Sequence, residues 1–518
     1  MPKVVVCGGG SAGCVVAARL SEDAENEVLL LEAGPDYETV EALPDDVRYA
    51  WNIGGLDHDW KYLAEDELVQ IETANEIFSS LPDRIQAYRG KVLGGSSATN
   101  ASNALRPTSQ DYERWAGMGN DWWNWEKVLP AFRAMENDPI GGERHGDSGP
   151  LPVRRFGEDE IRPLYKAFIE SAQRLGWPYE PDLNGVDTGG VGPTPFNQVD
   201  RVRMSTAITY IDPARERDNL TIRPDTVVDR VEFEGGAARR VVLEGGEVLE
   251  ADTVVLCSGA LSSPGILMRS GIGPAELLGR LEIPLLVEAE AVGKNLRDHG
   301  MVFMTVALNE KAGSPEPPIQ ASLVFNAAGA AAQAAGAEPD LHLIPVSPTA
   351  DLLILSVGVV QPHSLGHFEI ASRDVAVDPK ITLGVLTHPE DLARVVNGIK
   401  IVRELVATEP LADFVSAETW PGPAIETDAQ LTEAVRGGKS TYSHATSTCA
   451  MGPVGAGVVD QRGKVHGVED LYVVDASIFP MIPSSPTNLP TIMLAERCAG
   501  ALRESLSARS AQRLATGL

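Results

Sequence analysis

The chain has 518 residues, 43% of them hydrophobic and 22% charged, enough to bury a large core in two or three packed units. Its 73 acidic against 43 basic residues leave a formal charge of −30, which repels phosphate backbones and anionic membrane surfaces and argues against a nucleic-acid partner. Five scattered cysteines (Cys7, Cys14, Cys257, Cys449, Cys498) form no C-x-x-C pair and no cluster at zinc-ligand spacing, so neither a disulfide framework nor a metal site is expected.

Met1-Pro2-Lys3 leads directly into a strand-like run, without the basic, apolar and small-residue series of a leader, and no apolar stretch is long enough to span a bilayer. A reducing, cytoplasmic setting is the expectation. "KVVVCGGGSAGCVVAARLSED" predicts a buried strand, a glycine turn and a helix, and "NEVLLLEAGPD" predicts a second parallel strand ending at Glu32. Gly8, Gly10 and Gly13 stand at G-x-G-x-x-G spacing, and Glu32 follows Gly13 by 19 residues. Each position has a physical reason. Gly8 permits the sharp turn, Gly10 lets backbone approach a pyrophosphate, and Gly13 brings helix and strand close. The helix start at Ser11 and Ala12 offers free N–H groups to an anion, and Glu32, beside Ala33, would accept from ribose hydroxyls. A dinucleotide site follows; which dinucleotide is still open.

Farther along, "LTIRPDTVVDRVEFEGGAARRVVLEGGEVLEADTVVLCSGALSSPGILMRSGIG" reads as short strands with Gly-Gly turns, then a buried strand at 254–256 and a helix from about Ser263. That late strand can rejoin the first sheet. Residues 298–438 hold strand-like runs ("LILSVGVVQ", "GHFEIAS") and a helical segment, "PEDLARVVNGIKIVRELVAT". The Ala/Gly-rich patch at 326–340 reads as a surface loop or loose helix. "EDLYVVDASIFP" returns to the strand pattern and ends near Asp475 and Ala476; "NLPTIMLAERCAGALRESL" is a helix with Pro490 in its first turn. Ahead of both, "TYSHATSTCAMG" places His444 among hydroxyl side chains, and alone it does not distinguish a base, a nucleophile's partner or a core histidine.

Four further stretches resemble the glucose-methanol-choline (GMC) family of FAD-dependent oxidoreductases: "RGKVLGGSSATNASNALRPTSQDYERWA" (89–116), "GALSSPGILMRSGIGP" (259–274), "VGKNLRDH" (292–299) and "HATSTCAMG" (444–452). The resemblance implies an α/β fold. It has a Rossmann-like FAD-binding domain with a parallel sheet (1–150, 204–297 and 439–518) and an interleaved α+β substrate-binding domain with an antiparallel sheet (151–203 and 298–438). It also implies that Gly94, Gly95, Ser97, Asn100 and Ala101 line the flavin and pyrophosphate, that Val228 meets the adenine, and that Asp475 and Ala476 approach the ribityl-pyrophosphate. His444 matches the family's active-site histidine, and Asn488, 44 residues on, its second active-site position. Thr99 stands where some members carry a flavin-linking histidine, so FAD is expected to be non-covalent. Ser447 and Ala450 depart from the Gly and Arg usual in the motif.

The implied activity is oxidation of a small-molecule alcohol, with oxygen or another acceptor reoxidising the flavin. An imidazole with a pKa near working pH suits the hydroxyl proton, and Asn488 can hold the alkoxide. The helix start at Asn488 can stabilise negative charge on the reduced flavin. The alternatives are a non-redox relative of the hydroxynitrile-lyase kind, an NAD-dependent dehydrogenase, and a hydrolase using Cys449, which lacks a G-x-S-x-G elbow.

Overall fold

Lys3–Cys7 is buried at four of its five positions, as a β-branched run covered on both faces should be, and it forms the central strand of a parallel sheet. In the computed structural model, which describes residues 1–52, 57–67 and 84–516, the elements that frame the site follow in chain order. They are β1 (Lys3–Cys7), α1 (Gly13–Leu20), β2 (Glu27–Leu31), α2 (Pro163–Arg174), β3 (Gly190–Pro193), β4 (Leu220–Arg223), β5 (Thr253–Leu256) and α3 (Ser263–Arg269). Then come β6 (Gly300–Leu308), β7 (Ala321–Phe325), β8 (Leu341–Thr349), β9 (Leu352–Val359), α4 (Pro389–Val406), β10 (Val415–Trp420), β11 (Lys439–Thr441), β12 (Leu471–Val473) and α5 (Asn488–Thr516).

The first sheet runs β4-β2-β1-β5-β12, every pair parallel. The strand at 253–256 thus rejoins β1 as its pattern implied, and β12 adds beyond it. Helices α1 and α5 share the core of this sheet. Arg19 of α1 locks them together with a two-pronged bond to Glu496 of α5, 2.8 Å at each nitrogen, and the Tyr210 hydroxyl donates to the same carboxylate.

The second sheet is antiparallel, in the order β10-β6-β9-β8-β7-β3, with β11 paired to the first residues of β6. Val302, Met304, Leu343, Leu355 and Val357 point to one of its faces and meet Val395, Ile399 and Val402 of α4 and Phe168 of α2 in a separate core. This α/β fold with a second, antiparallel sheet is the one expected. Two boundaries differ. Strand β11, placed by sequence with the dinucleotide unit, hydrogen-bonds into the second sheet. Conversely, Phe368, Ile370, Ile381, Leu383 and Val385, placed with the substrate unit, pack into the first core. The Ala/Gly-rich patch holds only a short helix, Ala330–Ala334. All five cysteines are free and buried. Among the described residues no helix is long and apolar enough to cross a membrane.

One buried cation organises the segment behind the site. Arg203 is fully buried, and its donors go to main-chain carbonyls: Nε to Asn100 (2.6 Å), Nη1 to Ala98 (2.6 Å), Asp46 (2.9 Å) and Val47, and Nη2 to Tyr49 (2.9 Å). Burial lowers its pKa to about 10 against the pull of Asp46, so it stays charged at neutral pH. Arg203→Met leaves those carbonyls without donors and should lower stability by more than about 3 kcal/mol in denaturant melts. An unchanged midpoint would show that the loops hold without it.

Candidate active site

After Cys7 the chain turns through Gly8–Ala12 into α1, and a second turn, Gly94–Asn100, lies directly on it. The Gly94 N–H donates to the Gly9 carbonyl at 2.7 Å. Gly95 has φ +51°, and a Cβ there would come within 2.7 Å of the Gly10 Cα. Only glycine fits such an approach. The result is a floor made of main chain beneath a cavity of about 870 Å³, within the range of small-molecule and cofactor sites.

Fourteen of the residues singled out by sequence line this one cavity: Gly8, Gly10, Ser11, Ala12, Glu32, Ala33, Gly95, Asn100, Ala101, Val228, His444, Asp475, Ala476 and Asn488. Three do not, and they build the wall from behind. Gly13 starts α1 with no room for a Cβ against the Gly8 carbonyl, 1.8 Å away. Gly94 holds the loop contact just described, and Ser97 is fully buried, donating to the Gly94 carbonyl at 2.6 Å and accepting from the Thr206 N–H at 3.0 Å.

Glu32, at the end of β2, accepts from the Gly9 and Gly34 N–H groups, each at 2.8 Å, so it also ties down the first glycine loop. Burial raises its pKa to about 7, against the pull of those amides. The Asp475 carboxylate accepts from Gly259 N–H (2.8 Å), Ser263 Oγ (2.6 Å) and Ser477 N–H (2.8 Å), joining the ends of β5 and β12. Asn488 is the first residue of α5. Its Oδ1 accepts from Ser11 Oγ at 2.9 Å, which leaves Nδ2 as a buried donor with no partner, an unspent hydrogen bond on the cavity wall.

His444 sits three residues beyond β11. Its N–H donates to Asp298 Oδ1 (2.8 Å), and its Nδ1 lies 2.9 Å from Nδ1 of His299, the rings edge to face at 88°. Burial, then the neighbouring His299, Arg89 and His342, hold the His444 imidazole well below the ordinary histidine range. The expectation of a pKa near working pH is therefore not met; the ring is neutral. His299 is itself lowered to about 3, by burial and by His342. Arg89, whose Nη1 donates to the Ser443 carbonyl at 2.6 Å, also lines the cavity. Neither His299 nor Arg89 was assigned a role from sequence, although each lies inside a signature stretch.

Ser447 has φ +70° and is fully buried, so a serine occupies a left-handed position that a glycine would take without strain. Cys449 is fully buried, and burial pushes its thiol far up, which removes it as a nucleophile. One group able to hold a metal, Glu136, Asp138 and His145, is present among the described residues. Its atoms are already engaged by Arg106, Arg155 and Asp182 in a buried ion network.

With this geometry the comparisons agree. The model of GMC oxidoreductase N-terminal domains matches residues 3–301, and that of the C-terminal domains matches 362–495. The chain is a GMC oxidoreductase. It is 35% identical over 545 residues to an "Oxygen-dependent choline dehydrogenase" of Serratia proteamaculans, covering 96% of this chain and 95% of that one. Pyridoxine 4-oxidase from Mesorbium loti superposes with a TM-score of 0.86 at 29% identity, over 97% of this chain and 99% of that one. A formate oxidase, at 24% identity and a TM-score of 0.86 over 97% of this chain and 98% of that one, shares the fold. As a GMC oxidoreductase it is an FAD-dependent enzyme of CH–OH substrates. The main-chain floor and the Glu32 carboxylate fit that cofactor.

Two expected outcomes follow from the site's geometry. Folding lifts Glu32 from 4.5 to about 7, so the fold favours the protonated form. The penalty of ionising it is absent below the unfolded value and complete above the folded one. In apoprotein melts Glu32→Gln should therefore gain on wild type as pH rises through that window, while Glu32→Ala should hold FAD less tightly. Ser447→Gly should raise stability by about 1 kcal/mol by relieving the left-handed strain, and Ser447→Val should lower it; a valine variant as stable as wild type would remove the strain argument.

Proposed function

We propose that the enzyme oxidises a primary or secondary alcohol to the carbonyl, with His444 as general base and Asn488 as hydrogen-bond donor to the alkoxide. The observation that carries the reading is a neutral, buried imidazole on the cavity wall that shares this wall with an amide donor lacking a partner. When bound, non-covalently given Thr99, FAD supplies the hydride acceptor, and oxygen or another small acceptor then takes the electrons.

The proton's place follows from the histidine pair. Two neutral imidazoles 2.9 Å apart at Nδ1 need one donor and one acceptor. His299 Nε2 makes no close hydrogen bond, and the Pro483 and Val360 carbonyls are the acceptors beside its ring. The His299 proton therefore belongs on Nε2, its Nδ1 accepts from His444 Nδ1–H, and His444 Nε2 is left as the basic nitrogen. Ser11 fixes Asn488 with its oxygen occupied, which presents Nδ2 to the substrate oxygen. The unit built on the parallel sheet holds the cofactor, and the antiparallel sheet supplies the substrate wall.

The lyase alternative uses the same histidine without electron transfer. The dehydrogenase and oxidase named among the relatives favour the redox reading, and membership of an FAD family displaces the NAD one. The free, buried thiols accord with a reducing, cytoplasmic setting.

Removing a general base costs about two to four decades in rate, so His444→Ala should slow anaerobic flavin reduction by that order with its FAD spectrum intact. Asn488→Ala should cost about 1–3 kcal/mol of transition-state stabilisation. Because His444 titrates well below the ordinary range, wild-type flavin reduction should stay flat through neutral pH and fall only in acid. A rise centred near neutrality, or a His444→Ala enzyme reduced at the wild-type rate, would place the base elsewhere.

A further inference from the structure

The segment carrying His444 lies against the cavity-lining face of the second sheet. Strand registers set Phe303, Ser356 and Ile344 side by side across β6, β9 and β8, with Thr305, Ile354 and Val346 one step on. Side chains alternate along a strand, so these rows point away from the face that packs on α4. Phe303, Ile344, Val346 and Ile354 line the cavity and keep part of their surface open, whereas Leu343, Leu353 and Leu355 beside them are fully buried. At Gly358 a Cβ would lie 2.1 Å from the Tyr442 ring. That ring is therefore seated on the sheet, and its hydroxyl donates to the Ser356 carbonyl at 3.0 Å. Tyr442 in turn stands 5.7 Å from the His444 ring, so wall and base form one surface.

This wall offers a cation little. Among the described residues lining the cavity the carboxylates are Glu32, Glu316 and Asp475. Glu32 and Asp475 are occupied by the donors described above. Glu316 is paired with Arg201, both side chains more than half exposed. The cationic lining residues, Arg89 and Arg269, are bonded to the Ser443 carbonyl and to Asp229. A quaternary ammonium laid on Phe303, Ile344, Val346 and Ile354 would lose its hydration, and the ring faces of Phe303 and Tyr442 return only part of it. An apolar group laid there gains by leaving water.

We propose that the substrate is an uncharged alcohol with an apolar aliphatic or aryl body, which lies on this sheet face with its hydroxyl at His444, and that the wall discriminates against ammonium alcohols. The proposal rests on the alcohol-oxidation reading of His444, and its test separates the two.

The test titrates the oxidised holoenzyme with choline and with neohexyl alcohol, which carries a tert-butyl group where choline carries trimethylammonium. Binding is read from the flavin difference spectrum, and oxidation from anaerobic bleaching. Neohexyl alcohol should bind at least about tenfold more tightly, and linear primary alcohols should gain about fourfold per added methylene until the wall is covered. Val346→Asp and Ile344→Asp, each checked for an intact FAD spectrum, should move the ratio toward choline; the two sites back each other up should one variant lose its flavin. Choline binding as tightly as its neutral isostere, or a ratio unmoved by a carboxylate on the wall, overturns the proposal. Tighter binding of the neutral alcohol with no bleaching by any alcohol upholds this wall's preference and removes the oxidation reading instead.

Discussion

The contact on which the site depends is one stretch of backbone lying on another, Gly94–Gly95 across Gly9–Gly10. A side chain at Gly95 would run into the Gly10 backbone, separate the loops and open the floor of the cavity. Each loop is then held from its far side by a different device. Glu32 grips the first through the Gly9 N–H, and the second is pinned by Ser97 with Thr206 and by the Arg203 guanidinium. Since main-chain groups form the floor, what it can bind is set by backbone geometry more than by side-chain identity. That is why the cofactor half of such a site carries its signature so plainly.

The histidine pair shows burial used as a chemical control. An exposed imidazole would be partly charged at neutral pH and unable to accept a proton; here burial and the neighbouring His299, Arg89 and His342 keep it neutral. Neutrality has a chemical cost, because a ring held so far below the ordinary range resists the proton it is meant to take. On the proposal that His444 is the base, it would take the proton as the hydride leaves, when the proton's departure is coupled to formation of the carbonyl. The Asp298 carboxyl holds the His444 backbone through Oδ1, and its burial raises its own pKa against the pull of Arg89.

The parallel half of the fold was legible because its signals are local. Strand, glycine turn, helix and Glu32 fall within the first 32 residues, and each spacing reports a short-range geometric demand. His444 and Asn488 were legible only through motif resemblance, and their meeting on one wall needs contacts across hundreds of residues. His299 and Arg203 stayed silent for the same reason, since a buried histidine facing a distant ring and a guanidinium collecting distant carbonyls leave no periodic trace. Chain order and packing diverge at two places: β11 follows the segment of the second sheet and stays in that sheet, while Phe368 and Ile381 leave it for the first core. The depressed His444 pKa leaves no trace in the sequence because a pKa is a property of surroundings, and those surroundings come from separate segments.

The second sheet explains why a shared cofactor half can serve different substrates. Along β6, Val302 and Met304 belong to the α4 core while Phe303 between them faces the cavity; along β9, Leu353 and Leu355 bracket Ile354 in the same way. A period of two thus divides one strand into positions that decide stability and positions that decide fit. Substitution at the second set changes the shape and polarity offered to a substrate without disturbing the helix behind it. His444, the proposed base, is fixed by contacts that lie elsewhere, in His299, Asp298 and Tyr442. Chemistry and specificity are therefore carried by different atoms of the same wall, so the strong resemblance of the motifs transfers the reaction far more readily than it transfers the substrate.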